Sequence, residues 1–454
     1  MGGSGAIANA KNEAGLANLF DSLATMGINV VFLETVNASY PIFPSEVAPV
    51  QNPLLEGWDA LASGVKLAHE RGMELHAWTW IFAAANQRHN ELMGQPQYYL
   101  GPVLTEHPDW ATGDRRGDPF HARSRKAFFD PANPEVQNYL VELLTEIATK
   151  YDVDGIQFDY IRYPFQETSR NEVYGFGDAA REQFRLSGGY PDPITLEIGD
   201  RHWRKWQDFQ VAQVDQFVKK ATMSLRQVRP DLTLSAAVFP MPRDRRIEQI
   251  QQNWEAWIEA EYLDVLVPMT YAEDTVTLEG LTTDLLATFP SKSTLLVPSI
   301  RLLDIDSGIA LDQRQHLRQL PTIGAAFFAA SNLNPQLVTG LQTETSLLPH
   351  REPLAAIASR FETLQREWAI TFTDQPWQNA AHRFEDRLTT AQNQPNPKAI
   401  LLAQSQWEEF RLTFNPHLEI YAKQHPYQAQ VWQYRLTVIE HLLSYGDRRY
   451  SPLP

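Results

Sequence analysis

Short, nearly continuous apolar runs alternate along this chain with longer stretches in which apolar residues recur every three or four positions. The apolar runs are residues 29–35, 74–80, 155–160, 233–239, 264–271, 294–300 and 324–330. Such runs predict parallel strands buried on both faces, whereas half-exposed strands would alternate apolar with polar. The clearest helix lies at 133–150. Asn133 is placed to cap it, Pro134 suits its first position, and Val136, Leu140, Leu143, Leu144 and Ile147 form one apolar stripe. Strand–helix alternation predicts an α/β fold of the (β/α)₈ TIM-barrel type, with helices outside a parallel sheet.

The strands number seven, one short of a closed barrel. A helix over 13–26 leads into the first of them, so the missing strand is expected earlier. Residues 6–10 offer a poor version of it; otherwise the eighth place is empty or filled by another chain. Two segments that follow strands, 81–129 and 164–200, are much longer than ordinary loops and are expected to rise over the site. Past residue 348 strand runs cease, and helices are expected at 351–370, 375–392, 397–423 and 427–444. The expected division is a catalytic barrel over 1–345 and a helical region over 346–454, packed away from the C-terminal ends of the strands.

Composition narrows the function. The formal net charge of −16 argues against a nucleic-acid partner, since phosphates demand a basic surface. No apolar run approaches the roughly 18 residues of a membrane span. The absence of cysteine excludes thiol catalysis and cysteine-held metals. No cofactor is expected, because the chain lacks a phosphate-binding glycine loop, a G-x-S-x-G elbow and an H-E-x-x-H pair. The opening Met1-Gly2-Gly3-Ser4-Gly5 lacks the pattern of a secretory leader. It is read as an added start, with any natural leader outside the chain.

Glycoside hydrolysis generally uses two carboxyl groups, which a barrel holds at strand C-terminal ends. Asp159 closes the strand Gly155-Ile156-Gln157-Phe158-Asp159 and is followed by Tyr160, Arg162 and Tyr163 as prospective partners. Glu34, at the end of the first strand with Asn37 close behind, and Asp274, just past Tyr271, are the two candidates for the second carboxyl. In Glu74-Leu75-His76-Ala77-Trp78-Thr79-Trp80, two-residue alternation sets His76, Trp78 and Trp80 on one face, suited to hydrogen bonding and stacking on a sugar. Asn86, Arg88 and His89 form a dense polar run in the long segment, and Arg301 follows a later strand. These, with Tyr271, are the candidate substrate-binding residues. No second ligand at zinc spacing accompanies His76, so no metal is expected. Because Arg162 follows so closely, Asp159 is expected to be the ionised partner.

These residues resemble the bacterial family-10-like glycosyl hydrolases, which are distinct from true family 10 xylanases. The matching text is Tyr40-Pro41-Ile42-Phe43-Pro44-Ser45, His76-Ala77-Trp78, His107-Pro108-Asp109-Trp110, Phe129-Asp130-Pro131-Ala132-Asn133-Pro134-Glu135-Val136 and the block from Tyr151 to Tyr160. The run 86–90 and the run 159–165 look like the cyanobacterial branch. The resemblance implies a (β/α)₈ barrel, glycosidase activity on a polysaccharide substrate such as peptidoglycan glycan strands, and export to the periplasm or cell envelope. It also implies an opening R-G-V-W strand that this chain lacks. Chitinase-type D-x-x-D-x-D-x-E chemistry is not intact, because Gln157 and Ile161 replace the second Asp and the Glu. A non-catalytic carbohydrate-binding or envelope scaffold protein is the competing reading, and a transglycosylase a third.

Overall fold

The computed structural model describes residues 10, 12–289, 293–342, 347–372 and 375–451. Its strands are β1 (Val30–Asn37), β2 (Tyr40–Pro41), β3 (Glu74–Trp80), β4 (Ala83–Asn86), β5 (Ala111–Thr112), β6 (Lys126–Phe129), β7 (Gly155–Asp159), β8 (Thr233–Val238), β9 (Val265–Pro268), β10 (Leu295–Leu296), β11 (Ser299–Arg301) and β12 (Ala326–Phe328). The main sheet runs β10-β9-β8-β7-β3-β1, all parallel, with β2 folded back antiparallel on β1. The predicted strand at 294–300 is split. Val297 and Pro298 separate β10 from β11, where proline has no N–H for the ladder, and β11 then pairs in parallel with β12. Seven parallel positions therefore form an arc from β1 round to β12. Among the described residues no strand pairs β12 to β1, so the arc is of TIM-barrel type without shown closure. Most of the proposed 6–10 strand lies outside the described residues.

Helices cover the outside. α1 (Glu13–Thr25) is capped by Asn12, α2 (Ala60–His69) by Asp59 and α3 (Pro134–Lys150) by Asn133, whose carboxamide accepts from the Glu135 amide as its sequence position predicts. The outward residues of the strands, such as Leu75 and Ala77 of β3 and Ile156 and Phe158 of β7, join Leu140, Leu143, Leu144 and Ile147 of α3 in one core. The segment 81–129 is more structured than a loop: it contains the antiparallel sheet β4-β6-β5. Periodicity could not reveal those strands, because they are two to four residues long.

The C-terminal region is four long helices, α4 (Pro353–Thr371), α5 (Gln375–Asn393), α6 (Pro397–Ala422) and α7 (Pro426–Tyr450). Phe361, Trp368, Trp377, Phe410, Phe414 and Trp432 form their aromatic core. The bundle also packs on Val265, Val267 and Leu295, residues at the barrel end where β9 and β10 begin. Polar contacts agree. Arg448 pairs with Asp264 at 2.5 Å, just before β9. Arg351 donates to the carbonyls of Asp154 at 2.6 Å and Asp231 at 2.9 Å, which precede β7 and β8, and pairs with Glu74 at the start of β3. The bundle thus lies under the strands' N-terminal ends and leaves their C-terminal ends to the loops.

Candidate active site

Asp159 ends β7, and two-residue alternation turns Gly155, Gln157 and Asp159 to the inside of the arc while Ile156 and Phe158 face the helices. The carboxyl is doubly held. The Trp78 indole donates to Oδ2 at 3.0 Å from the neighbouring strand, and the Tyr160 amide donates to Oδ1 at 2.6 Å. To offer that amide, Tyr160 adopts a left-handed conformation, with φ of +49°. For a non-glycine residue this costs on the order of 1–3 kcal/mol, a strain that surrounding structure must hold and that gathers at functional sites. The ring of Tyr160 tilts against Trp80 at 4.3 Å.

These groups line one end of a cavity of about 1540 Å³ that runs from the strand C-terminal ends along the unpaired edge beside β1 and β12 down to the helical bundle, where His350, Arg360 and Arg435 line it. Trp78, Trp80, Asp159, Tyr160, Arg162 and Tyr271 are on its wall, with Asn86, Arg88 and His89 from the long segment. Tyr271 stacks on Phe328 at 5.6 Å. His89 lies parallel to Trp80, and burial lowers its pKa to about 4, so it is neutral near pH 7. Asn86 caps the helix Gln87–Leu92 by accepting from the Arg88 amide. Lys126, Phe239 and Phe328 also line the wall. Sequence reasoning passed over all three. Lys126 sits within the short β6, and the phenylalanines looked like ordinary strand residues.

Burial raises the Asp159 carboxyl above the ordinary carboxylate range. The Tyr160 amide, the Trp78 indole and Arg162 pull it back down, and the charge of Glu34 adds to the rise. The direction of this shift runs against the expectation that Asp159 is the ionised partner. The physical reason is visible in Arg162. Its guanidinium is buried, donates to the Tyr163 carbonyl at 2.8 Å and is enclosed by the rings of Tyr160 and Phe165 at about 5 Å. It neighbours Asp159 without making an ion pair with it among the described contacts.

The other candidates separate. Glu34 is half-buried on β1, two strands from Asp159, accepts from Asn37 at 2.5 Å and faces the inside of the arc without being one of the residues on the cavity wall. Asp274 is exposed, lies outside the cavity wall and caps the helix Thr275–Thr288 by accepting from the Thr277 amide at 2.7 Å. Tyr163 is fully buried in the core and Arg301 pairs with exposed Asp304 at 3.5 Å; neither reaches the wall. His76 touches the cavity only at its floor. There Glu74 takes hydrogen bonds from His76 at 3.0 Å and His350 at 2.6 Å and pairs with Arg351. Burial opposes the charge of Glu74, but the bonds from His350 and His76 prevail and hold its carboxyl well below the usual range. Glu74, His76 and His350 have ligand atoms within 4.8 Å of one another, a grouping hidden from the sequence by the distance to His350. Arg351 already supplies the positive charge that a metal would bring there, so the cluster reads as the joint between barrel and bundle.

A parallel α/β arc of TIM-barrel type with a carboxyl group at the C-terminal ends of its strands is an arrangement found among glycoside hydrolases. The chain belongs to the glycosyl hydrolase-like 10 family, whose model matches residues 9–302. It is 24% identical over 294 residues to glycosyl hydrolase DigH of Escherichia coli K12, covering 57% of this chain and 58% of that one. It is 20% identical over 274 residues to glycosyl hydrolase YngK of Bacillus subtilis, covering 56% and 48%. The chain thus spans about half the length of these curated relatives. In fold it is similar to the PgaB (BpsB) glycoside hydrolase domain of Bordetella bronchiseptica, with a TM-score of 0.55 at 14% identity, covering 74% of this chain and 94% of that domain. It is also similar to a β-galactosidase from the psychrophile Marinomonas ef1, with a TM-score of 0.52 at 12% identity, covering 78% and 58%. Among the described residues no helix is long and apolar enough to cross a membrane.

Proposed function

We propose that this protein hydrolyses glycosidic bonds of a polysaccharide, with Asp159 as general acid and Glu34 as the second carboxyl group. The observation that carries the reading is the environment of Asp159. A carboxyl group on the cavity wall, its pKa raised by burial against the pull of two N–H donors, is placed to deliver a proton to a leaving oxygen. Glu34 is preferred over Asp274 because its charge acts on Asp159, whereas Asp274 is committed to a helix cap. Glu34 is level with Trp78 and through it with Gln157, one inward position short of Asp159, so the two backbones are about 12 Å apart, and both strands turn these side chains to the inside of the arc. Trp80, Tyr160 and Tyr271 offer ring faces to sugar C–H groups.

The test is hydrolysis by the full chain of a glycan panel that includes peptidoglycan glycan strands freed of peptide. Release of reducing ends, abolished by Asp159→Asn, is the expected result. Glycan binding without cleavage of any member would instead make this a carbohydrate-binding protein on a barrel scaffold. Products with new glycosidic bonds in place of new reducing ends would make it a transglycosylase.

A further inference from the structure

The chain carries 55 acidic and 39 Lys and Arg residues, yet its cavity is lined the other way. Among the described residues the wall contains seven Lys or Arg side chains and two carboxyl groups, Asp159 and Glu367. Glu367 is already neutralised by Arg435 at 2.7 Å. Close to Asp159 the excess falls on Lys126 and Arg88. Lys126 is half-buried at the start of β6, and its ammonium stands 5.5 Å from the ring centres of both Trp80 and Tyr160. Among the described residues no carboxylate forms an ion pair with Lys126 or with Arg88. A partly desolvated cation with no ion-pair partner is costly to keep in a fold. Its cost would be offset by an anion on the ligand, where a charge-assisted hydrogen bond in a partly dry site is strong.

We propose that Lys126 and Arg88 form an anion-binding subsite beside Asp159, and that the glycan taken by this cavity carries carboxylates on its sugar rings. The inference rests on the glycan-cleaving reading above and names the substrate class for it. A carboxylate on a pyranose ring seated against Trp80 or Tyr160 would meet the ammonium that already leans over both rings. Arg162 is not part of the subsite, because it is spent on the Tyr163 carbonyl and its aromatic cage. The groups facing Lys126 are Arg162, Arg88, Asp159 and His89. Burial and the two arginines lower its pKa to about 8, so its grip on an anion should weaken as pH rises through that value.

The experiment uses matched pairs of oligosaccharides, drawn from peptide-free peptidoglycan strands and from hyaluronan. Each is prepared with its carboxylates free and with the same carboxylates reduced to alcohols. Binding is measured to the Asp159→Asn protein, so that it does not depend on turnover. The expected result is a preference of about tenfold or more for a free-acid form, the scale of one charge-assisted hydrogen bond. Lys126→Met should remove that preference and Lys126→Arg retain much of it, with circular dichroism showing both folded. Equal binding of the two forms, no binding of either, or a preference that survives Lys126→Met would overturn the subsite. A preference without cleavage by wild type would instead overturn the hydrolase reading and leave the subsite standing, so the two failures are distinguishable.

Discussion

The indole of Trp78 donates to Oδ2 of Asp159 at 3.0 Å, from the middle of β3 to the end of β7. With the Tyr160 amide on Oδ1, both carboxyl oxygens act as acceptors. A purely local reading predicts that Asp159→Asn changes activity and leaves stability untouched. The geometry predicts otherwise, because a carboxamide has one acceptor oxygen and must turn its NH₂ toward one of the two donors. We expect kcat to fall by roughly 10²–10⁴-fold, the range for a lost general acid. We also expect a loss of about 1 kcal/mol for the forfeited hydrogen bond, readable as a small drop in thermal midpoint. Wild-type turnover in this variant would make Asp159 structural.

The pH profile should report the same carboxyl. Its pKa is raised in the folded protein, chiefly by burial, and an acid catalyst works only while protonated. Activity should therefore fall as pH rises through that elevated pKa, giving an alkaline limb to kcat/KM for the free enzyme. Arg162 pulls this pKa downward. Removing its charge with Arg162→Met should move the limb to higher pH, and Arg162→Lys should move it less. An alkaline limb that stays put in both variants would assign it to another group.

Glu34 and Asp274 make opposite predictions although both follow barrel strands. Glu34→Gln should lower kcat by about 10²-fold or more if it is the second carboxyl. Asp274→Ala should leave kcat unchanged and cost about 1 kcal/mol, the usual loss for an N-cap. Chemical denaturation and turnover of the two variants, measured side by side, check the pair.

Glu74 should matter to stability. It is the carboxylate that binds His76 in the barrel to His350 and Arg351 beneath it. Glu74→Ala strands these partners, and breaking a buried pair in this way costs about 3–5 kcal/mol. Because the folded pKa of Glu74 is depressed, its stabilisation is fully present above the unfolded value of about 4.3. That stabilisation is lost as pH falls below this value towards the folded pKa. Wild type should therefore lose midpoint steeply in acid. Glu74→Ala, already destabilised, should show a shallower acid dependence in urea or thermal melts. A variant as stable as wild type at pH 7 would show that the joint between barrel and bundle lies elsewhere.

Local pattern was enough for the strands and helices whose environment is uniform along their length. The parallel strands β3, β7, β8 and β9 bury both faces almost throughout, so apolar runs mark them, and the half-buried β1 and β12 are apolar enough to be marked in the same way. α3 has one buried face and a capped start, and its period and Asn133 mark it. Alternation was likewise enough to put Trp78 with Trp80 on one face of their strand and Gln157 with Asp159 on one face of theirs, because the two-residue period is a covalent property of an extended chain. The rest depended on packing across long stretches of sequence. Nothing local distinguishes Glu34 from Asp274 at a strand end; one is turned to the inside of the arc and the other caps a helix. Arg162 follows Asp159 by three residues, yet its charge is bound up among rings, and burial outweighs its pull on the carboxyl. Lys126 reaches the cavity through a four-residue strand too short to show a period. His350 and Arg351 meet Glu74 from more than 270 positions away. Sequence fixes which way a side chain leaves its own strand or helix, whereas charge state and partnership are set by whatever the fold brings against it.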